Sequence, residues 1–398
     1  MSERIEEKVI SERPNIFLRV IYIILFLIIT SVIIWRIFYY NSPEEQLAEI
    51  EVSIAIPDSE NAAIIYNQLI EDYTESYLKP AFLTLTIDDI TRQTPWTSED
   101  YPEAAEWLEE NEDIFTKLIE ASKYEHCLFP IAINSLEDMD NIMSHLSFIR
   151  QLAFWLMRSA NYDFGEGRTD QAMEKYICCI NMGRHFRQQP VAIVFLVGIA
   201  MESLGLQRTQ SFIMNENTTT EQIKTIETSL LDKKFEFDKY WTFMLHVENL
   251  NSKTLPTTTA NNFLERLKEL WLSRKNDEAA MKRVKEIYLR LLTDRQGTQI
   301  LVALRQYKNK NGKWPEKLDE VKPFLSSENI LIDPQNDSSF VYKLKDGDFV
   351  LYSTGLNGID ENGQKKSPAD DWPIWPLDTP QIQSQNTKTT RNDPNNVE

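Results

Sequence analysis

Glycine is scarce in this chain, with 11 among 398 residues and none before Gly165. A glycine-rich phosphate loop is therefore excluded from the first 164 residues, because such loops need glycine for tight turns and close backbone approach. Gly165 and Gly167 stand in G-E-G-R-T-D, which completes neither a dinucleotide fingerprint nor a P-loop. Four histidines and three cysteines, none at ligand spacing, leave no metalloprotease helix and no zinc ribbon. Positive charge is also short: 42 basic residues face 61 acidic ones, a net charge of −19. The first 40 residues carry +1, which leaves −20 on the other 358. A surface of that sign repels a phosphate backbone, so no nucleic-acid partner is expected. It repels anionic headgroups too, so any membrane attachment must be apolar.

An apolar segment of the right kind is present. Val20 to Trp35 is sixteen residues whose only polar members are Tyr22, Thr30 and Ser31. As a helix it would span ~24 Å, against a hydrocarbon layer of ~30 Å. Ile16, Phe17 and Leu18 extend it on one side, and Ile37, Phe38, Tyr39 and Tyr40 on the other. Arg19 and Arg36 can reach the headgroups, and Trp35, Tyr39 and Tyr40 supply an interfacial belt. The expectation is a transmembrane anchor over residues 16–40, with the lipid bilayer as its partner. A cleaved signal peptide would need a shorter apolar core and a small-residue site, whereas this segment ends in R-I-F-Y-Y. Arg4, Lys8, Arg13 and Arg19 precede the segment, and N-S-P-E-E-Q-L-A-E-I-E follows it. The positive-inside rule then predicts a cytoplasmic tail over residues 1–15 and an extracytoplasmic location for the rest.

Residues 58 to about 308 read as almost wholly helical. Asp58 and Ser59 offer an N-cap before N-A-A-I-I-Y-N-Q-L-I-E-D-Y. Val284, Ile287, Tyr288, Leu291 and Leu292 form one helical stripe, and Phe263, Leu267, Leu270 and Trp271 form another. Pro256 in T-L-P-T-T-T and the run N-E-N-T-T-T mark breaks between helices. Gly167, Ala172 and Tyr176 have the spacing of the turn and second helix of a tetratricopeptide unit, and residues 160–190 resemble one such hairpin. Cys179 stands where that pattern has a second alanine, and no second copy follows at a 34-residue period. Cys178 and Cys179 are neighbours on a helix and bond poorly to each other. Cys127 could pair with one of them, or all three could be buried thiols.

After Tyr307 the character changes. K-N-K-N-G-K-W-P ends a helix, with Gly312 as its left-handed terminator and Pro315 forbidding continuation. A short helix is expected over Glu316–Phe324. F-V-Y-K-L and D-F-V-L-Y-S then read as a β-hairpin turning at Asp346-Gly347. The sequence from about Thr293 to Trp375, with Y-K-N-K-N-G-K-W-P, I-D-P-Q-N, D-F-V-L-Y-S-T-G-L-N-G and A-D-D-W in that order, resembles the C-terminal head of the major pseudopilin of type II secretion systems. The resemblance covers about a fifth of the chain. It stops short of the family's assembly machinery: the leader, and the phenylalanine and glutamate that follow its cleavage site, have no counterpart. Here some 250 residues also separate the anchor from the matching helix. In that family the loop after Y-S-x-G binds calcium. The resemblance implies a calcium site with Asn357, Asp370 and Asp371 at matching positions, and Asp360 and Asn362 as further oxygen donors of this loop. Glu361 lies in the same loop.

The expected fold class is mainly α: a transmembrane anchor, a helical extracytoplasmic domain over 41–292, and a small α+β pseudopilin-like domain over 293–378. A disordered tail over 379–398 completes the layout. No catalytic residue stands out. His126 sits between Glu125 and Cys127, where adjacent side chains rarely face each other, and His145, His185 and His246 lack a partner at motif spacing. The expected function is a non-enzymatic scaffold or adaptor at the bacterial inner membrane, bound to an unidentified protein and linked to type II secretion or envelope assembly. The competing class is an envelope hydrolase with its active site in the helical domain.

Overall fold

The computed structural model describes residues 24–31, 41–133, 135–231, 235–254, 277–345, 347–365 and 370–377. The expected tails 1–15 and 379–398, the flanks of the anchor, the stripe Phe263–Trp271 and the turn residue Asp346 lie outside the described residues. Residues 24–31 are helical, and Ile24 to Ile29 expose between 47% and 66% of their surface.

The body is helical: α1 (Pro43–Ile54), α2 (Ala63–Asp72), α3 (Leu85–Gln93), α4 (Pro102–Glu110) and α5 (Glu112–Ser122) come first. The longer α6 (Leu136–Gly165), α7 (Thr169–Arg187) and α8 (Ala192–Met214) follow, then α9 (Thr220–Ser229) and α10 (Phe237–Thr254). Three of these start with a reciprocal cap, Ser42 with Glu45, Ser135 with Asp138 and Thr219 with Gln222. The cap expected at Asp58 and Ser59 is not used, since residues 58–60 form a 3₁₀ turn and α2 begins at Ala63. Asn61 takes over: its Oδ1 accepts from the Ala63 and Leu128 amides, and its Nδ2 donates to the Leu128 carbonyl. One amide that both donates and accepts thus ties the helix to the neighbouring segment.

α6, α7 and α8 stack as successive neighbours and bury Trp155, Cys178, Cys179, Phe195 and Phe212. The closest crossing is α7 on α8. A Cβ on Gly198 would lie 2.3 Å from the Arg187 amide nitrogen, and one on Gly183 would lie 2.4 Å from that of Glu202. Among the described residues α8 alone is long and apolar enough to cross a membrane; more than half of it is buried inside the protein, as befits its central place. Cys127, Cys178 and Cys179 are all free and buried, and burial raises the pKa of each thiol.

The C-terminal part begins with α11 (Asp277–Asn311), 35 residues that pack on α8, α9 and the sheet alike. The domain boundary expected at 292/293 falls within this helix, and one hydrophobic cluster runs from Tyr66 through Leu301 to Ile374. Gly312 ends α11 at φ 75°. A 3₁₀ turn, Leu318–Phe324, with Pro323 inside it, replaces the expected short helix. β1 (Val341–Lys345) and β2 (Asp348–Ser353) form the expected hairpin, with Lys345 opposite Asp348 and Gly347 at φ 84°. A third antiparallel strand, β3 (Trp372–Trp375), adds to β2 and gives the order β1-β2-β3. The sequence reading has no third strand, since four residues containing a proline carry no periodicity. Ile374 of β3 sits against Gly297 of α11, where a Cβ would come within 2.7 Å of its side chain. The Trp372 indole donates to Asp294 Oδ1 at 2.6 Å.

Two measurements test this packing. Gly198→Ala forces α7 and α8 apart and should cost ~1–3 kcal/mol in urea unfolding; an unchanged midpoint would mean that the crossing is looser than described. Asp294 is buried, and desolvation raises its pKa to about 6, although the Trp372 hydrogen bond and Lys365 pull it down. The folded protein therefore holds this proton more tightly than the unfolded chain, and stability falls as pH rises from about 4 to about 6. The loss reaches on the order of 2–3 kcal/mol near neutrality. Asp294→Asn keeps an oxygen for Trp372 and should be more stable than the parent at neutral pH but not at about pH 4. Equal stability at neutral pH would show that ionising Asp294 is not costly.

Candidate functional site

The loop leaving β2 is built from its ends. Ser353 and Thr354 are buried, and Gly355 has φ 62°. A Cβ there would sit 2.4 Å from Asp370 Oδ1, so only glycine lets the two ends of the loop meet. Asp370 Oδ2 accepts from the amides of Leu356 and Asn357 at 3.1 and 3.3 Å. The I-D-P-Q-N run supports the loop from below. Gln335 Nε2 donates to Ser353 Oγ at 2.9 Å, and Asn336 Nδ2 to Thr354 Oγ1 at 2.8 Å and the Gly355 carbonyl at 2.6 Å. Asp333 anchors this run by accepting from the Gln335 amide, and burial raises its pKa.

The five expected ligands divide. Asp371 is fully buried; its Oδ2 accepts from the Gly363 amide at 2.7 Å, and its Oδ1 has no hydrogen-bond partner. Glu361 Oε2 and Asp370 Oδ1 are likewise buried and unpartnered. Desolvation raises the Asp371 pKa, and the facing Glu361 carboxylate raises it further against the pull of the Gly363 amide. Two carboxylates that face each other in a desolvated site need a proton or a cation between them. Asn357 stands beside them, with Nδ2 donating to Glu361 Oε1 at 2.7 Å and Oδ1 accepting from the Ile359 amide.

Asp360 is placed elsewhere. Its carboxylate receives Lys343 Nζ at 2.9 Å, the Tyr352 hydroxyl at 2.7 Å and the Asn362 amide at 2.9 Å. The Lys343 and Tyr352 hydrogen bonds hold its pKa down to about 2. Those partners occupy the oxygens a cation would need. Asn362, at φ 61°, serves the turn through its backbone. Glu361, rather than Asp360, is the neighbour that faces Asp371. Its one signal in the sequence is adjacency in D-E-N-G, where a turn decides which of two neighbours faces inward. Asp370, Asp371 and Glu361 offer hard oxygen donors suited to calcium, yet among the described residues no three His, Cys, Asp or Glu side chains form a ready cage. Ion binding at this loop would have to draw Asp370 toward the Glu361–Asp371 pair.

Two polar clusters lie in the helical body. Glu202, fully buried on α8, accepts from Arg187 Nε at 3.1 Å and from Arg295, with Arg184 Nε 3.6 Å away. These arginines lower its pKa although burial opposes them. The knot joins α7, α8 and α11. In the second cluster, Lys175 Nζ donates to Ser159 Oγ at 2.7 Å, which has the outline of a serine–lysine catalytic pair. The same amine meets Asp163 at 2.8 Å and Glu112 at 3.3 Å, and this double ion pair engages it as a donor rather than as a base. His185 is also structural: Nε2 meets the Tyr124 carbonyl at 2.9 Å and Nδ1 the Tyr66 hydroxyl at 3.0 Å, and burial lowers its pKa to about 4.

Compared with models of known families, with curated proteins and with solved structures, the chain matches none.

If calcium bridges Glu361 and Asp371, the full chain should melt higher in millimolar calcium than in chelator. A hundredfold excess over Kd stabilises by ~2.7 kcal/mol. Asp371→Ala should remove most of that difference, Asp360→Asn should leave it, and magnesium should substitute poorly. Superimposable melting curves in calcium and chelator would leave the loop as a hydrogen-bonded turn alone.

Proposed function

We propose that this protein is a single-pass, membrane-anchored extracytoplasmic scaffold or adaptor of the bacterial inner membrane, with a pseudopilin-like head and a role in type II secretion or envelope assembly. The observation that carries the anchor is the helical stretch 24–31, whose apolar side chains from Ile24 to Ile29 stay exposed and pack on no core. Exposed apolar surface all round a helix is stable in lipid and costly in water. The head reading is supported by the order of its elements: a long helix, a 3₁₀ turn, the Asp333–Asn336 tie, a hairpin and a pinned loop. In this reading the helical body, with its acidic surface, holds the head away from the bilayer and presents it to a protein partner, and calcium stiffens the head's loop through Glu361 and Asp371.

Orientation supplies the test. A reporter active only in the cytoplasm, fused after residue 398, should stay silent, and one active only outside it should respond. Strong activity from the cytoplasmic reporter would overturn the orientation and the envelope role together.

A further inference from the structure

A cavity of about 510 Å³ opens between α2, α6 and the segment joining α7 to α8, a size typical of small-ligand sites, which run from ~300 to ~1,000 Å³. Most of its lining is apolar, including Phe129, Ile131, Phe186, Val191 and Val194, with Ile142 and Ile149 of α6. Apart from Gln189, the polar lining comes from two helices: Asn67 and Glu71, one turn apart on α2, and Asp138, Asn141 and His145 on α6. Gln189, also in the lining, is committed to the fold: it donates to the Cys127 and His185 carbonyls and accepts from the Phe129 amide. Glu71 and Asp138 make this lining acidic, with Asp138 Oδ2 also accepting from the Ser135 amide in the α6 cap. Partial burial lowers the His145 pKa, so at neutral pH the imidazole adds no compensating positive charge.

We infer that this cavity binds an amphiphile with a single apolar chain and a cationic head, the chain against Ile131 and Val194 and the head at Glu71 and Asp138. Charge complementarity selects the head, since a carboxylate or phosphate would meet Glu71 and Asp138. The apolar wall selects the chain. Ile131 is also where α1 packs: the Ile131 and Ala132 amides donate to Glu51, and Leu47 lies in the same small cluster. α1 begins at Pro43, directly after the apolar segment 16–40, and the choice of an amphiphile rests on the proposed reading of that segment as a bilayer anchor. The inference stands without the pseudopilin-like reading of the head or the orientation of the chain.

The test uses the full chain in vesicles of neutral lipid and two photoreactive probes of equal chain length, one ending in trimethylammonium and one in carboxylate. After irradiation, the ammonium probe should label the peptides around Ile131 and Ile142 about tenfold more than the carboxylate probe, the difference expected for ~1.4 kcal/mol. Ala132→Trp, which fills the cavity, should remove the labelling. Glu71→Lys, at an exposed helix position that disturbs no core, should abolish the preference for ammonium while chain labelling persists; it also serves if Ala132→Trp fails to fold. Equal labelling by both probes, or labelling indifferent to Glu71→Lys, would overturn the assignment.

Discussion

Burial of the Trp372 and Ile374 side chains against α11 is the contact on which the C-terminal structure depends. β3 has four residues and a proline, too little to hold a strand in place by its own ladder. Ile374 enters the space that Gly297 leaves open, and the Trp372 indole reaches Asp294 on the same helix. With β3 fixed, Asp370 and Asp371 immediately before it are fixed too. Asp370 then closes the loop against Gly355, and Asp371 is held opposite Glu361. The arrangement of acids at the loop thus follows from an apolar contact on the far side of the strand.

The same helix reaches into the body. Arg295 follows Asp294 directly and ends on Glu202, the buried acid of α8. Glu202 also receives Arg187 from α7, so a single carboxylate links three helices. Breaking such a group by removing one partner is strongly destabilising, because the remaining charges stay buried. The C-terminal part and the helical body therefore share a charged knot as well as an apolar cluster.

Legibility of the sequence varied with the range of the forces involved. The α11 stripe at Val284, Tyr288 and Leu291 is buried as its periodicity predicts, and Gly312 and Gly347 adopt the positive φ expected of them. These are local signals. The hairpin register followed from the same local chemistry. β3 was not legible, because its stability comes from Gly297 and Asp294, the latter 78 residues before Trp372 in the chain. Nor was the exchange of Asp360 for Glu361. Lys343 and Tyr352 approach from the hairpin and claim Asp360, a contact that spacing within the loop does not encode. Asn61 replaced the expected caps for a similar reason, since its second partner, Leu128, lies 67 residues away.

The two outer strands of the sheet have a consequence for self-association. An exposed strand edge is a template for another chain, and proteins blunt such edges with lysine or proline. β1 carries Lys343 and Lys345, and β3 carries Pro373, which has no amide hydrogen to offer a neighbour. Neither border of the sheet is suited to growth by strand addition. Copies of this sheet brought close together would therefore remain separate folded units, and any ordered array they form must be joined through side chains or helices.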